Sequence, residues 1–424
     1  KNLENWRCMM FHIKKILLLL ILINSGQSYA QQVLSLNQIL QEIDKNNPAL
    51  NAYENRIKSQ DAKVEGARSW MAPMIGAGTF MKPYPGQKIE DESDRGAFMI
   101  SAEQDIPNPA KTKSKAEYLA AQSSITRSEQ SSLANQLRAR AKELYYELII
   151  ANKKIVYQRE NLAIMQTMRK LGEIRYQFNQ GPLGQVFKAE GRYHEAENMT
   201  LMTQSTIRAN KIALNALMYR PASVDFSIDT NSAVAFKPLP ILDIAYLSAN
   251  RSDIVQMDRS ITAMGLNINQ IRMEAKPDFQ IRFDHMSNYD AMMPRQFNIM
   301  GMVSIPIAPW SSKMYKSDIK SMNFEQEAMR QQKEAMLVEM LGMTKSIESE
   351  LISMEKQLSN YEDKILPALS KNLKVTMISY QENKADLNTV IDAWEAVNLS
   401  QMNYLEQLQK FYKMIVEYEK NIER

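Results

Sequence analysis

The chain has 424 residues, 45% of them hydrophobic and 24% charged, with a formal net charge of +4 and only 13 Gly and 15 Pro. That composition excludes a disordered chain, a helical membrane bundle and a Gly/Pro-rich loop protein. Three His and one Cys leave little material for a zinc centre, haem attachment, a disulfide framework or Cys/His catalysis.

From the N-terminus, Lys14 and Lys15 precede an apolar run, Ile16 to Ile23, and a small-x-small cleavage site at Ser28-Tyr29-Ala30. This is the pattern of a secretory signal peptide cut after Ala30, and its apolar core is too short to span a bilayer. Translation is then expected to start at Met9 or Met10. Removing residues 1–30 takes away Cys8 and leaves 48 basic and 47 acidic groups, so the exported chain is cysteine-free and nearly neutral. A neutral chain argues against nucleic acid as a partner.

An internal repeat organises the rest. Tyr176-Gln177-Phe178-Asn179 recurs as Tyr380-Gln381-Glu382-Asn383, and at the same offset Leu183 matches Leu387, Val186 matches Val390 and Pro73 matches Pro277. Pro107 and Pro306 pair at a slightly shorter spacing. We expect two copies, 31–220 and 242–424, joined by a linker at 221–241. Each copy reads helix, strand, strand, long helix, long helix, which makes the fold mainly α with a small β component.

In the first copy, strand segments at Met74–Lys82 and Phe98–Ile106 are followed by Asn108-Pro109, a helix N-cap with Pro at the first helical position. The helix is expected to run to about Phe178, roughly 100 Å at ~1.5 Å per residue. Its heptad is Leu137, Ala141, Leu144, Leu148, Ala151, Ile155, Gln158 and Leu162. The second copy repeats the plan with strands containing Phe279, Ile281 and Phe283, then Phe297, Ile299, Val303 and Ile305. Its heptads are Met340, Thr344, Ile347, Leu351, Met354, Leu358, Tyr361 and Ile365, then Leu387, Val390, Trp394, Val397, Gln401, Tyr404, Leu408, Phe411, Ile415, Tyr418 and Ile422. A sustained seven-residue repeat specifies supercoiled packing. Pro367 is expected to kink or break the helix that carries it.

The strands are about ten residues long and alternate apolar with polar, as a transmembrane β-strand does. Charge falls on one face, at Glu103, Asp105, Asp278, Arg282 and Asp284. A water-filled lumen accepts that and a packed core does not. Trp70 and Trp310 flank the strands where an interfacial aromatic belt sits. Four strands cannot close a barrel, and open edges do not survive in lipid. The chain must oligomerise, and three copies would supply twelve strands.

Methionine concentrates in the strand regions, with nine in 69 positions against 18 in the other 325 of the exported chain. Met99, Met286, Met300 and Met302 fall on the polar face by alternation. Thioethers suit Cu(I) or Ag(I), so these four are candidate transient soft-metal contacts, with His285 a possible addition. Adaptable apolar packing is the competing explanation.

In its two-copy layout, in Arg175-Tyr176 through Val186 and Tyr380 through Ala393, and in Ser304-Ile305-Pro306-Ile307 leading to Trp310, the chain resembles the TolC-type outer-membrane efflux proteins, nearest to the outer-membrane factors of heavy-metal efflux systems. The resemblance implies a homotrimer with a 12-stranded β-barrel in outer-membrane lipid and a long α-helical tunnel in the periplasm. It implies a passive channel without a cofactor, working with a periplasmic adaptor (a membrane fusion protein) and an inner-membrane RND-type transporter. Asp392 takes the place of one of the acidic residues that narrow the periplasmic aperture, and Asp386, six residues earlier, is expected to add to it. Asn179, Gly181, Val186, Asn383, Leu387 and Val390 fall at the hairpin tips, where the adaptor docks. Metal ions, organic toxicants and polypeptides all remain possible cargoes, and a periplasmic coiled-coil adaptor is the competing class. No nucleophile–base pair or phosphate loop is legible, so no enzymatic activity is expected.

Overall fold

The computed structural model describes residues 33–230, 234–289, 294–306 and 308–423. The expected leader, part of the linker, Met292, Met293 and Ile307 lie outside the described residues. In chain order the elements are β1 (Val33–Leu34), α1 (Leu36–Asn46), α2 (Pro48–Gly66), β2 (Met74–Phe80), β3 (Ala97–Ile106), α3 (Pro109–Gln177) and α4 (Leu183–Leu217). There follow β4 (Ser227–Ile228), α5 (Ile244–Asn250), α6 (Ser252–Met273), β5 (Asp278–Asn288), β6 (Gln296–Ser304), α7 (Pro309–Asn360), α8 (Leu366–Gln381) and α9 (Leu387–Ile422). Helix α2 starts 204 residues before α6, β2 before β5, and α4 before α9. Among the described residues no helix is long and apolar enough to cross a membrane.

Local chemistry sets the boundaries. Asn108 caps α3, its Oδ1 accepting from Ala110 N at 3.0 Å while its Nδ2 donates to Pro277 O at 2.8 Å. Asn47 caps α2 with Pro48 at the first position. That cap splits what the sequence suggested was one helix, and Arg251 divides α5 from α6 at the equivalent place. Helices α3 and α8 end in the same motif. The Gln180 N–H reaches Arg175 O and the Lys384 N–H reaches Ser379 O, both at 2.8 Å, with Asn179 (φ 57°) and Asn383 (φ 62°) in the left-handed region. Asn tolerates that conformation better than most residues bearing a Cβ.

At Pro367 the α-helix is interrupted, and the expected heptads of α7 and α3 need correction. The α-helical pattern stops at Asn360 and resumes at Leu366, one residue before the proline. One π-turn, Tyr361–Ile365, lies between α7 and α8 and accommodates the missing proline N–H. The wider turn also rotates the helix face, so the heptad buries Leu351, Met354 and Leu358 but leaves Ile365 exposed. In α3 the buried stripe leaves the expected heptad after Gln158 and continues through Asn161, Met165 and Met168, with Leu162 only half-buried.

The chain forms two compact units. Among the described residues the first comprises those up to Asn46, Arg140–Phe236 and Ser353–Lys413. Its small sheet pairs β1 with β4 in parallel, and the Arg220–Glu42 ion pair joins α1 to the segment that follows α4. Its core includes Met165, Met168, Ala189, Leu373, Tyr380, Leu387, Val390, Trp394 and Val397. The second comprises Asn47–Ala139, Lys237–Ile352 and Met414–Arg424. It holds one antiparallel sheet of order β2-β3-β5-β6.

Candidate functional site

Two places carry the chemistry, the sheet of the second unit and the hairpin tips of the first. In the sheet, strand periodicity separates two faces. Phe98, Ile100, Phe279, Ile281, Phe283, Phe297, Ile299 and Val303 share one face, and each is between 41% and 69% exposed. Leaving eight such side chains in water rather than an apolar medium costs on the order of 10 kcal/mol. The sheet's outer strands, β2 and β6, have unpaired edges among the described residues. Trp70 precedes β2 and Trp310 follows β6, at the same end of the sheet and 61% and 84% exposed.

The other face is polar and laddered. Glu103 stands opposite Arg282 across β3–β5, and Arg282 opposite Met300 across β5–β6. Arg282 Nε donates to Asp284 Oδ1 at 2.8 Å, and Gln280 donates to Glu103. Lys111 Nζ reaches Asp278 Oδ2 at 2.6 Å. The register resolves the four candidate methionines into two pairs. Met99 is the direct partner of Met286, whereas Met300 and Met302 sit two apart on β6, opposite Arg282 and Gln280. One rung, Asp284 with Asn298, separates the pairs, so a single chain does not gather them into one cluster. His285 does not join either pair. It lies opposite Ile100 and Phe297 on the apolar face, because neighbouring residues of a strand point to opposite sides. Among the described residues no group of three or more His, Cys, Asp or Glu is placed to hold a metal ion.

At the tips, α3 and α4 form one hairpin and α8 and α9 the other. The Arg175 guanidinium lies 3.8 Å above the Tyr380 ring and donates to the Tyr380 carbonyl, joining the two hairpins. Lys188 Nζ is 3.6 Å from Asp392 Oδ1, and Arg192 Nη2 is 2.8 Å from Glu395 Oε1. Asp392 is therefore ion-paired within its own chain rather than a bare carboxylate. Asp386 plays a different part, accepting from the Thr389 N–H at 2.8 Å and the Thr389 hydroxyl at 2.7 Å as the cap of α9. Those bonds, led by the Thr389 backbone N–H, hold its carboxyl below the ordinary carboxylate value.

Leu387, Val390 and Val186 pack inside the tip, whereas Phe178, Leu183 and Phe187 are exposed there. Gly172 matters because a Cβ at that position would come within 3.0 Å of Leu387 Cδ2. Gly181 borders a cleft of about 660 Å³ between the hairpins, along with Arg175, Gln185, Lys384 and Asp386. Further from the tip, Asn161 is a buried hub. Its Oδ1 accepts from Trp394 Nε1 at 2.9 Å, and its Nδ2 donates to Asn398 Oδ1 at 3.1 Å and Gln401 Oε1 at 3.0 Å. Three residues before it, Gln158 Nε2 donates to Thr203 Oγ1 at 3.0 Å. Arg175, Lys188, Arg192 and Asn161 were not singled out as site residues from the sequence. The one signal available was Gln158, a polar residue at a core position of the α3 heptad three residues before Asn161.

Residues 39–218 match the family described as outer membrane efflux protein. Among curated protein sequences none matches the chain. The fold is similar to that of the outer-membrane channel OprN, with TM-score 0.76 at 16% identity, covering 91% of this chain and 89% of that one. It is similar to CusC, with TM-score 0.75 at 14% identity and 91% of each chain covered. The outer membrane protein VceC from Vibrio cholerae gives TM-score 0.71 at 15% identity, covering 91% of this chain and 95% of that one.

Proposed function

We propose that the chain, of which residues 39–218 match the outer membrane efflux protein family, is a passive channel of that kind that assembles as a homotrimer and conducts small cargo out of the periplasm. The observation that carries this is the sheet, with its exposed apolar face, charged opposite face and two edges unpaired among the described residues. Three copies joined edge to edge make a 12-stranded barrel, which satisfies the edges, puts the apolar face in outer-membrane lipid and turns the charged face toward water.

In this reading the chain is exported with a cleaved signal peptide and contributes two tandem repeats, 31–220 and 242–424, joined by a linker at 221–241. The coiled helices form a periplasmic tunnel. Its tips meet a periplasmic adaptor through the exposed Phe178, Leu183 and Phe187, supported from within by Val186, Leu387 and Val390. The adaptor in turn joins an RND-type inner-membrane transporter that supplies the energy, and the tip contacts Lys188–Asp392 and Arg175–Tyr380 restrain opening. For cargo we favour heavy-metal ions of the copper and silver type, because methionine concentrates on the polar face of the strands.

A deletion strain tests the cargo. Selective loss of resistance to copper and silver supports the metal reading, and loss of resistance to organic toxicants alone replaces it with a multidrug one.

A further inference from the structure

We propose that Met99 and Met286 together form a discrete two-thioether binding site for a soft monovalent cation, the class of Cu(I) and Ag(I), on the polar face of the sheet. The inference deepens the metal reading above and rests on it for the cation's role as cargo. The site itself lies within one chain.

Register is the first support. The two residues are direct partners in the β3–β5 ladder, and directly opposed residues hold their Cβ atoms ~4.5–5.5 Å apart on the same face. Each thioether then swings on three rotatable bonds, so both sulfurs can converge on one ion without movement of the backbone. Room is the second. Gly78 faces Met99 from β2, and a Cβ there would meet nothing within 4 Å. Both methionines are half-buried, so an ion in the surrounding water reaches them.

Charge is the third. The polar face carries Glu103, Asp105, Asp278 and Asp284 against Arg282, and Lys111 offsets Asp278, which leaves an excess of negative charge to draw a cation in. Thioethers discriminate among such cations, preferring soft Cu(I) and Ag(I) to Zn(II), Na(I) or Mg(II).

The same geometry makes Met300 and Met302 bystanders. They neighbour each other along one strand about 6.8 Å apart, and Met300 lies four ladder positions from the partner of Met286, about 13 Å away.

The test uses the full chain purified in detergent with 13C-methyl methionine, titrated with silver nitrate and followed by NMR, the resonances being assigned with Met→Leu variants. The Met99 and Met286 methyls should shift together along one saturating curve, with no response to Zn(II) or Na(I). Met99→Leu or Met286→Leu should weaken the remaining methyl's apparent affinity for silver about tenfold or more, as loss of one of two donors predicts, and Met300→Leu should leave it unchanged. Leu keeps the volume, so the fold is retained, and unchanged strand circular dichroism checks this. Independent titration of the two methyls, or a response no stronger than that of other exposed methionines, overturns the site. Failure of the channel reading shows separately, as a protein that binds silver at this pair but forms no conducting trimer.

Discussion

Lys188 and Asp392 stand 204 residues apart, at equivalent positions of the two repeats, and they pair with each other, Nζ to Oδ1, at 3.6 Å. The repeat has thus diverged into opposite charges that meet. Asp392 remains 68% exposed, so the contact is worth less than about 1 kcal/mol and is weakened by salt. Lys188→Gln should shorten the closed periods of single channels by up to about fivefold at low salt, and the difference should vanish near 1 M salt. Single-channel recording at two ionic strengths checks it.

Asp386 predicts a pH dependence at the tip. Its carboxyl is held below the ordinary value of 3.8 by the Thr389 N–H and hydroxyl, so its folded pKa is depressed. Its stabilising effect is therefore complete above that ordinary value and is lost as pH falls through the folded one. Removing the cap with Asp386→Ala should cost about 1 kcal/mol. Asp386→Asn keeps an acceptor and should abolish the acid sensitivity. Hydrogen exchange at the Thr389 amide, compared at acid and neutral pH, reads both effects.

Asn161 predicts a larger loss. Asn161→Leu would strand the buried Trp394 Nε1–H and leave the carbonyl oxygens of Asn398 and Gln401 without their donor, costing about 2–4 kcal/mol for unsatisfied buried groups. A lowered thermal midpoint, together with Trp394 fluorescence shifted from that of the native chain, is the expected outcome. Replacing the half-buried Asn135 by Ala removes one solvent-accessible bond, to Lys420 O at 2.9 Å, and should lower the midpoint far less.

Much of the fold was legible because periodicity is a long-range signal. The four strands, the long helices, the Asn108-Pro109 start and the Asn179 and Asn383 turns all follow from residue spacing and backbone chemistry. The site was less legible, because it depends on which helices meet. Nothing in the sequence around Asn161 says that its partner is Trp394, and the drift of the buried stripe from Leu162 to Asn161 shows only once α3 has neighbours. The apolar heptad carried to Ile365 failed for a local reason, since the π-turn beside Pro367 adds residues to the helical period. His285 was misplaced because adjacency in sequence was read as adjacency on a strand, where it means the reverse. Leu387 and Val390 stand at heptad core positions and are buried, so the surface at the tip belongs to Phe178 and Phe187.

The central claim, that this chain closes its sheet by trimerisation into a conducting barrel, is tested most directly by planar-bilayer recording of the purified protein. The account predicts discrete conductance steps from a species with the mass of three chains, altered in closed lifetime by Lys188→Gln. A folded chain that remains single, or that assembles and gives no conductance, would contradict it.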